Sequence, residues 1–259
     1  MELLSIDYIL ASFLIFVRVS SMIMTAPFFS TAAFPAQIKI FFALITSILL
    51  YPVIPSENLF IMADSGLIMI LSTILVEVLV GVILGLTGQL IFAGLEFAGR
   101  LISLKIVLAF ADMIDTMTQE KSTIVGNLFT MLAVLVFLSI DGEKVYINAL
   151  VRSFEVIPLN QAEVHLAGPF MLEVATYLFV IGVQIASPFI IVLFLLDLSL
   201  AIFARIMPQA NIMFISLPLK IGIGISLLIL VVPYLPVAFD MMFQRMFEFL
   251  ADVIDLIAP

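Results

Sequence analysis

Long uncharged apolar runs dominate this chain and limit what it can fold into. They cover residues 19–38, 40–56, 65–76, 78–95, 122–140, 174–196 and 221–239. A helix that crosses a bilayer needs roughly 20 mainly apolar residues, so several of these runs qualify by length. Glu77 alone interrupts the stretch 65–95, which predicts one long helix there. The runs lack the strict apolar/polar alternation of a membrane barrel. Charged residues make up 11% of the chain against 64% hydrophobic, whereas soluble domains carry about 25% charged residues. The fold class expected is therefore all-α: a hydrophobic, multi-helix, membrane-type protein organised as a single domain over residues 1–259.

Several runs are poor as plain spans. Pro27 and Pro35 fall inside the first one, and a proline within a helix removes a hydrogen bond and clashes with the preceding turn. Arg18, Glu77, Asp197 and Arg205 sit inside or beside apolar segments, where an ionic group needs a partner. Asp197 and Arg205 are about two turns apart, too far to meet as neighbours on one helix, so each is expected to pair with another helix or another chain. Broken helices are thus part of the expected architecture. Residues 51–64 read as a proline-containing turn, 105–122 as a polar loop, and 141–173 as a polar segment with a short helix around 144–156. Arg100, Lys105 and Lys121 gather around one loop while 51–64 has no cation, which places the former on the cytoplasmic side.

Residues 239–258 carry a polar stripe of Asp240, Gln244, Arg245, Glu248, Asp252 and Asp255 opposite an apolar face. Helices that lie on anionic lipid are rich in Lys and Arg on that stripe; this one is acidic, which favours docking on protein. Gly81, Gly85 and Gly88 fall at i, i+4 and i+7, and Gly99 returns to the same face. Small residues at that spacing allow close helix approach, within the chain or against another subunit. In the polar loop, Phe110, Met113, Ile114 and Met117 are apolar side chains among acidic and hydroxyl neighbours. Flexible thioethers can seal irregular surfaces, although a solvated connection is the simpler expectation.

Other functions find no support. The formal charge of −9 comes without a Lys/Arg cluster, which excludes the phosphate-neutralising surface that nucleic acid demands. There is no cysteine and a single histidine, His165, so no metal or cofactor site is expected. No nucleophile elbow, phosphate loop or zinc-protease motif is present, and no enzymatic activity is expected.

The segment that begins Phe203-Ala204-Arg205 continues through Pro208-Gln209-Ala210-Asn211 to Pro218-Leu219-Lys220-Ile221. It resembles the signature of the FliR family of flagellar export-gate proteins, which is related to the SctT component of virulence injectisomes. Further blocks resemble the family in order along the chain: Arg18-Val19 with Ala26-Pro27-Phe28-Phe29, Pro35 and Lys39-Ile40; Glu77 with Gly81, Gly85 and Ala98-Gly99; Phe110-Ala111 with Asp115; and Phe137-Leu138 with Asp141-Gly142. Two positions depart from the family pattern. Asp115-Thr116 stands where Asp-Pro is common, and Gly142-Glu143 where Gly-His is common.

The resemblance implies a core subunit of the type III export gate in the bacterial inner membrane, at the flagellar basal body. Its implied partners are FliP, FliQ and FlhB, together with the unfolded flagellar subunits that pass through the channel. It also implies that the loop carrying Phe110, Met113, Ile114 and Met117 projects into the channel as a plug, and that many apolar helices are covered by subunits rather than lipid. An injectisome export-gate subunit is the close alternative. A self-contained secondary transporter is the rival class, since broken helices and membrane-depth charges also mark substrate sites.

Overall fold

A computed structural model of the chain describes residues 6–27, 35–54, 66–106, 123–209 and 211–259. Among the described residues every regular element is helical. In chain order the α-helices are α1 (Ile6–Thr25), α2 (Ala36–Leu50), α3 (Leu67–Ile106), α4 (Ile124–Ser139), α5 (Gly142–Val156), α6 (Ala167–Ile206), α7 (Ile212–Val231) and α8 (Leu235–Leu256). Short 3-10 turns at Val164–Leu166 and Val232–Tyr234 lead into α6 and α8.

The prolines act locally as their chemistry requires. Helix α1 ends before Pro27, and Pro35 flanks the start of α2, where its missing N–H costs nothing. Pro188, by contrast, lies inside α6 and leaves the carbonyl of Gln184 without its helical donor. The hydroxyl of Ser187 donates to that same carbonyl at 2.8 Å, and the helix continues for its full 40 residues. Pro218 is likewise accommodated within α7. At α4 the Thr123 side chain accepts from the Gly126 N–H at 3.1 Å, an N-cap that starts the helix.

Helix boundaries extend beyond the sequence expectations in two places. The long helix expected over 65–95 runs on to Ile106, so Lys105 and Ile106, expected in the polar loop, form the last turn of α3. Helix α6 runs through Asp197 to Ile206, because Asp197 has a counter-charge close by and need not end the apolar segment. The remainder of the polar loop, with Phe110, Met113, Ile114 and Met117, lies outside the described residues.

The chain divides into two compact units: Met1–Ile91 with Asp141–Ala175 and Phe243–Pro259, and Phe92–Ile140 with Thr176–Met242. In the first, Leu14, Ile15 and Val19 of α1, Val80 and Leu84 of α3, Leu150 and Phe154 of α5, and one face of α8 are buried. The second buries Leu95 and Ile102 of α3, Phe129 and Phe137 of α4, and Ile181, Phe189 and Leu193 of α6.

Within the first unit, the face of α8 bearing Phe243, Met246, Phe249, Leu250, Val253 and Ile254 is buried, while Gln244, Arg245, Glu248, Asp252 and Asp255 point outward. The acidic amphipathic helix therefore docks on its own chain. Phe249 meets Phe170 edge-to-face with ring centroids 5.8 Å apart. The Glu163 N–H donates to the Ile257 carbonyl, and Arg152 donates twice to the Asp255 carboxylate at 2.8 Å.

Large-to-small substitution on this buried face leaves a cavity. Phe249→Ala is expected to destabilise the chain by about 3–5 kcal/mol. Gln244→Ala, on the outward face, should stay within about 0.5 kcal/mol of the parent. Denaturant unfolding in detergent micelles measures both.

Candidate functional site

The most deeply buried ionic group of the first unit is Arg18, on α1, with a relative exposure of 0%. Its Nε donates to Glu77 of α3 at 2.6 Å, and Glu77 is equally buried. The guanidinium reaches further. One terminal nitrogen donates to the Ser153 carbonyl at 2.9 Å, and both donate to the Ile157 carbonyl at 3.3 Å. These carbonyls belong to the C-terminal end of α5, where helical acceptors go unpaired and a cation is favoured by the helix dipole. The plane of the guanidinium lies over the Phe154 ring, 4.2 Å from its centroid. The second oxygen of Glu77 accepts from the backbone N–H of Asn160 at 3.1 Å, in a turn where Asn160 takes φ 66°. One ion pair thus ties α1, α3, the end of α5 and the turn after it.

Glycines set the distance that makes this possible. A Cβ at Gly81 would collide with Ser21 Oγ and the Arg18 carbonyl, and one at Gly85 with Thr25 Oγ1 and, at 2.8 Å, the Met22 carbonyl. The α1 backbone lies directly against this face of α3, so Glu77, one turn before Gly81, comes within reach of Arg18. At Gly88 the added carbon would meet the phenol of Tyr146, whose hydroxyl donates to the Leu84 carbonyl at 3.4 Å. Gly99, in the second unit, faces the backbone of Gly126 in α4. The stripe of Gly81, Gly85, Gly88 and Gly99 therefore packs on helices of the same chain.

The second unit holds its own ion pair. Asp197 of α6 accepts from Lys220 of α7 at 2.6 Å, with the lysine side chain 17% and the aspartate 43% exposed. The family-signature residues Pro208, Gln209 and Asn211 lie in the connection between these helices; Asn211 flanks the start of α7, which carries Pro218 and Lys220. Arg205, in the last turn of α6, is exposed and has no ion-pair partner among the described residues. Arg18, Arg100, Arg152 and Arg245 all do have one.

Sequence inspection missed several participants. Ser153, Ile157 and Asn160 contribute backbone groups to the Arg18–Glu77 site, and backbone contacts leave no trace in residue type. Gly94 and Gly182 were missed as well: an added carbon at Gly94 would stand 3.1 Å from the Leu178 carbonyl, and one at Gly182 would strike the Phe97 ring. Here a signal existed, because isolated glycines within helical runs often mark close packing.

No arrangement among the described residues gathers metal-ligating side chains, and the ionic groups neutralise one another rather than converge on a reacting centre. Three helical stretches, Leu67–Ile106, Val164–Ile206 and Phe214–Leu256, are long and apolar enough to cross a membrane. The fold and its ion pairs define an all-helical, membrane-type protein with internally neutralised charges. The sequence profile of "Bacterial export proteins, family 1" matches residues 9–246, and the chain belongs to that family. It is similar to the flagellar biosynthetic protein FliR of Pectobacterium carotovorum, 31% identical over 92% of this chain and 90% of that one. It is also similar to that of Escherichia coli K12, at 29% over 92% and 90%, and to that of Caulobacter vibrioides, at 32% over 84% and 86%.

Truncating one member of the buried pair strands the other charge. Glu77→Ala is expected to destabilise the chain by about 3–5 kcal/mol. Arg152→Ala, which removes an exposed pair, should change stability by no more than about 1 kcal/mol. Parallel unfolding curves in the same detergent check the contrast.

Proposed function

We propose that this chain is a core subunit of the flagellar type III protein export gate, forming part of the channel through which unfolded flagellar subunits cross the bacterial inner membrane. It acts there as one export-gate domain in the flagellar basal body, assembled with FliP and FliQ and adjoining FlhB. It has no catalytic site of its own.

The length of its open apolar surface carries this proposal. Helices α3 and α6 each run 40 residues, about 60 Å at 1.5 Å per residue. The hydrocarbon core of a bilayer is only about 30 Å thick. In the most apolar window of each stretch only 33% of residues are buried within the chain, and for Phe214–Leu256 only 6%. Lipid can cover at most about half of such a helix, and neighbouring protein must cover the rest. Similarity to FliR proteins over nearly the whole chain supplies the system in which those neighbours are found.

The loop that carries Phe110, Met113, Ile114 and Met117 is proposed as the plug of the resting channel. Flexible apolar side chains exclude ions and still yield to a passing polypeptide. The buried Arg18–Glu77 pair, the Asp197–Lys220 pair and the glycine contacts hold the scaffold that presents it.

Affinity purification from detergent followed by mass spectrometry tests the assignment. The expected result is a stable hetero-complex containing FliP and FliQ. Recovery as a monomer or homo-oligomer that binds a small solute would replace this function with that of a transporter. Deleting residues 110–117 should raise ion leakage in cells that still assemble the complex, read as membrane conductance; a tight membrane would move the constriction elsewhere.

A further inference from the structure

Helix α6 presents two unlike faces beyond Pro188. Leu193, Asp197, Leu200 and Ala204 are buried or half-buried, and Asp197 bonds Lys220 of α7 from this side. On the opposite side stand Ile191, Leu195, Leu198 and Ile202, which are 58, 56, 46 and 63% exposed, and then Arg205. Their spacing alternates four and three residues throughout. That is the repeat by which one helix seats against another in a left-handed crossing, with each side chain entering a hole on the facing helix.

Arg205 ends the seam with no carboxylate near it. Ile206 and Met207 beside it are 72% and 50% exposed, so the charge lies in an apolar surround. Phospholipid could cover the seam and offer a headgroup phosphate to the arginine, but the neighbouring pair argues against it. Asp197 lies eight residues before Arg205, about 12 Å along the axis. With Arg205 at headgroup depth, a 43%-exposed carboxylate and its lysine would stand within hydrocarbon. Oily chains also impose no 3.5-residue repeat.

We infer that the outer face of α6 is the seat of a partner helix from a different subunit, whose apolar side chains enter the 191–195–198–202 seam and whose Asp or Glu pairs with Arg205. Such a partner supplies what the surface lacks: an apolar stripe about 21 Å long, from residue 191 to 205 at 1.5 Å per residue, and one negative charge at its end. Arginine suits the task, because its planar fork holds a carboxylate through two parallel hydrogen bonds. This inference deepens the export-gate assignment and rests on it for the presence of other subunits.

The test places a photo-crosslinking amino acid at Ile202 of the full chain in cells that build the complex. Adducts are expected on an apolar helical segment of another subunit, with an Asp or Glu within one turn of the cross-linked residue. Arg205→Glu should lower adduct yield at least tenfold, Arg205→Lys should retain most of it, and Lys at the partner's acidic position should restore the yield with Arg205→Glu. Arg205→Gln, which adds no repulsion, should give an intermediate loss. Each variant is compared at an unfolding midpoint equal to that of the parent. Adducts to phospholipid, adducts to a second copy of this chain, or a yield unchanged by Arg205→Glu would overturn the inference while leaving the export-gate assignment intact. Loss of FliP and FliQ from the purified parent complex is the separate result that would remove the assignment itself.

Discussion

The bond between Arg18 and Glu77 is the constraint around which the first unit is built. A guanidinium and a carboxylate with no solvent exposure survive only when nearly every donor and acceptor is used. Here the arginine is divided between Glu77, two carbonyls at the end of α5 and an aromatic face, and the glutamate between Arg18 and the Asn160 N–H. The geometry leaves little freedom. Helix α1 must lie against α3 close enough for a short bond, which is why Gly81 and Gly85 carry no side chain, and α5 must end where its last carbonyls meet the guanidinium. In such a setting the pair contributes orientation more than net stability: it fixes which surfaces meet among helices whose apolar faces are otherwise interchangeable.

That matters for a chain with so much uncommitted apolar surface. Each helix could slide or rotate against another with small change in buried area. Polar bonds and glycine contacts define single registers: Arg18 with Glu77, Lys220 with Asp197, Tyr146 over Gly88, and Gly99 against Gly126. The remaining surface stays open, as expected of a subunit that completes its fold by assembly. A channel for unfolded polypeptide requires this division of labour, with rigid internal joints inside each subunit and broad apolar faces between them.

Much of this was legible in the sequence because apolar periodicity and charge are written in residue type. The helical class, the break at Pro27 and Pro35, the short helix after residue 141 and the polar stripe of α8 follow from pattern. So does the need of Glu77, Arg18 and Asp197 for partners. The identity of those partners was not legible, because Arg18 and Glu77 are separated by two helices and the intervening turn, and half of their bonds go to backbone. Whether the glycine stripe packed within or outside the chain was equally hidden, since Gly81 and Gly85 have the same composition in either case. Pro188 looked like a break; the Ser187 hydroxyl that replaces its missing donor keeps α6 continuous.

A double-mutant cycle on Arg18 and Glu77, read as unfolding free energy in detergent, tests this account most directly. Arg18→Met and Glu77→Leu are measured singly and together, so that each single variant strands one charge and the double variant strands none. If the pair organises the unit, the double substitution should be less destabilising than the sum of the singles by roughly 2–3 kcal/mol. Additivity within about 0.5 kcal/mol would show that the two side chains act independently, and would contradict the central place given to their bond.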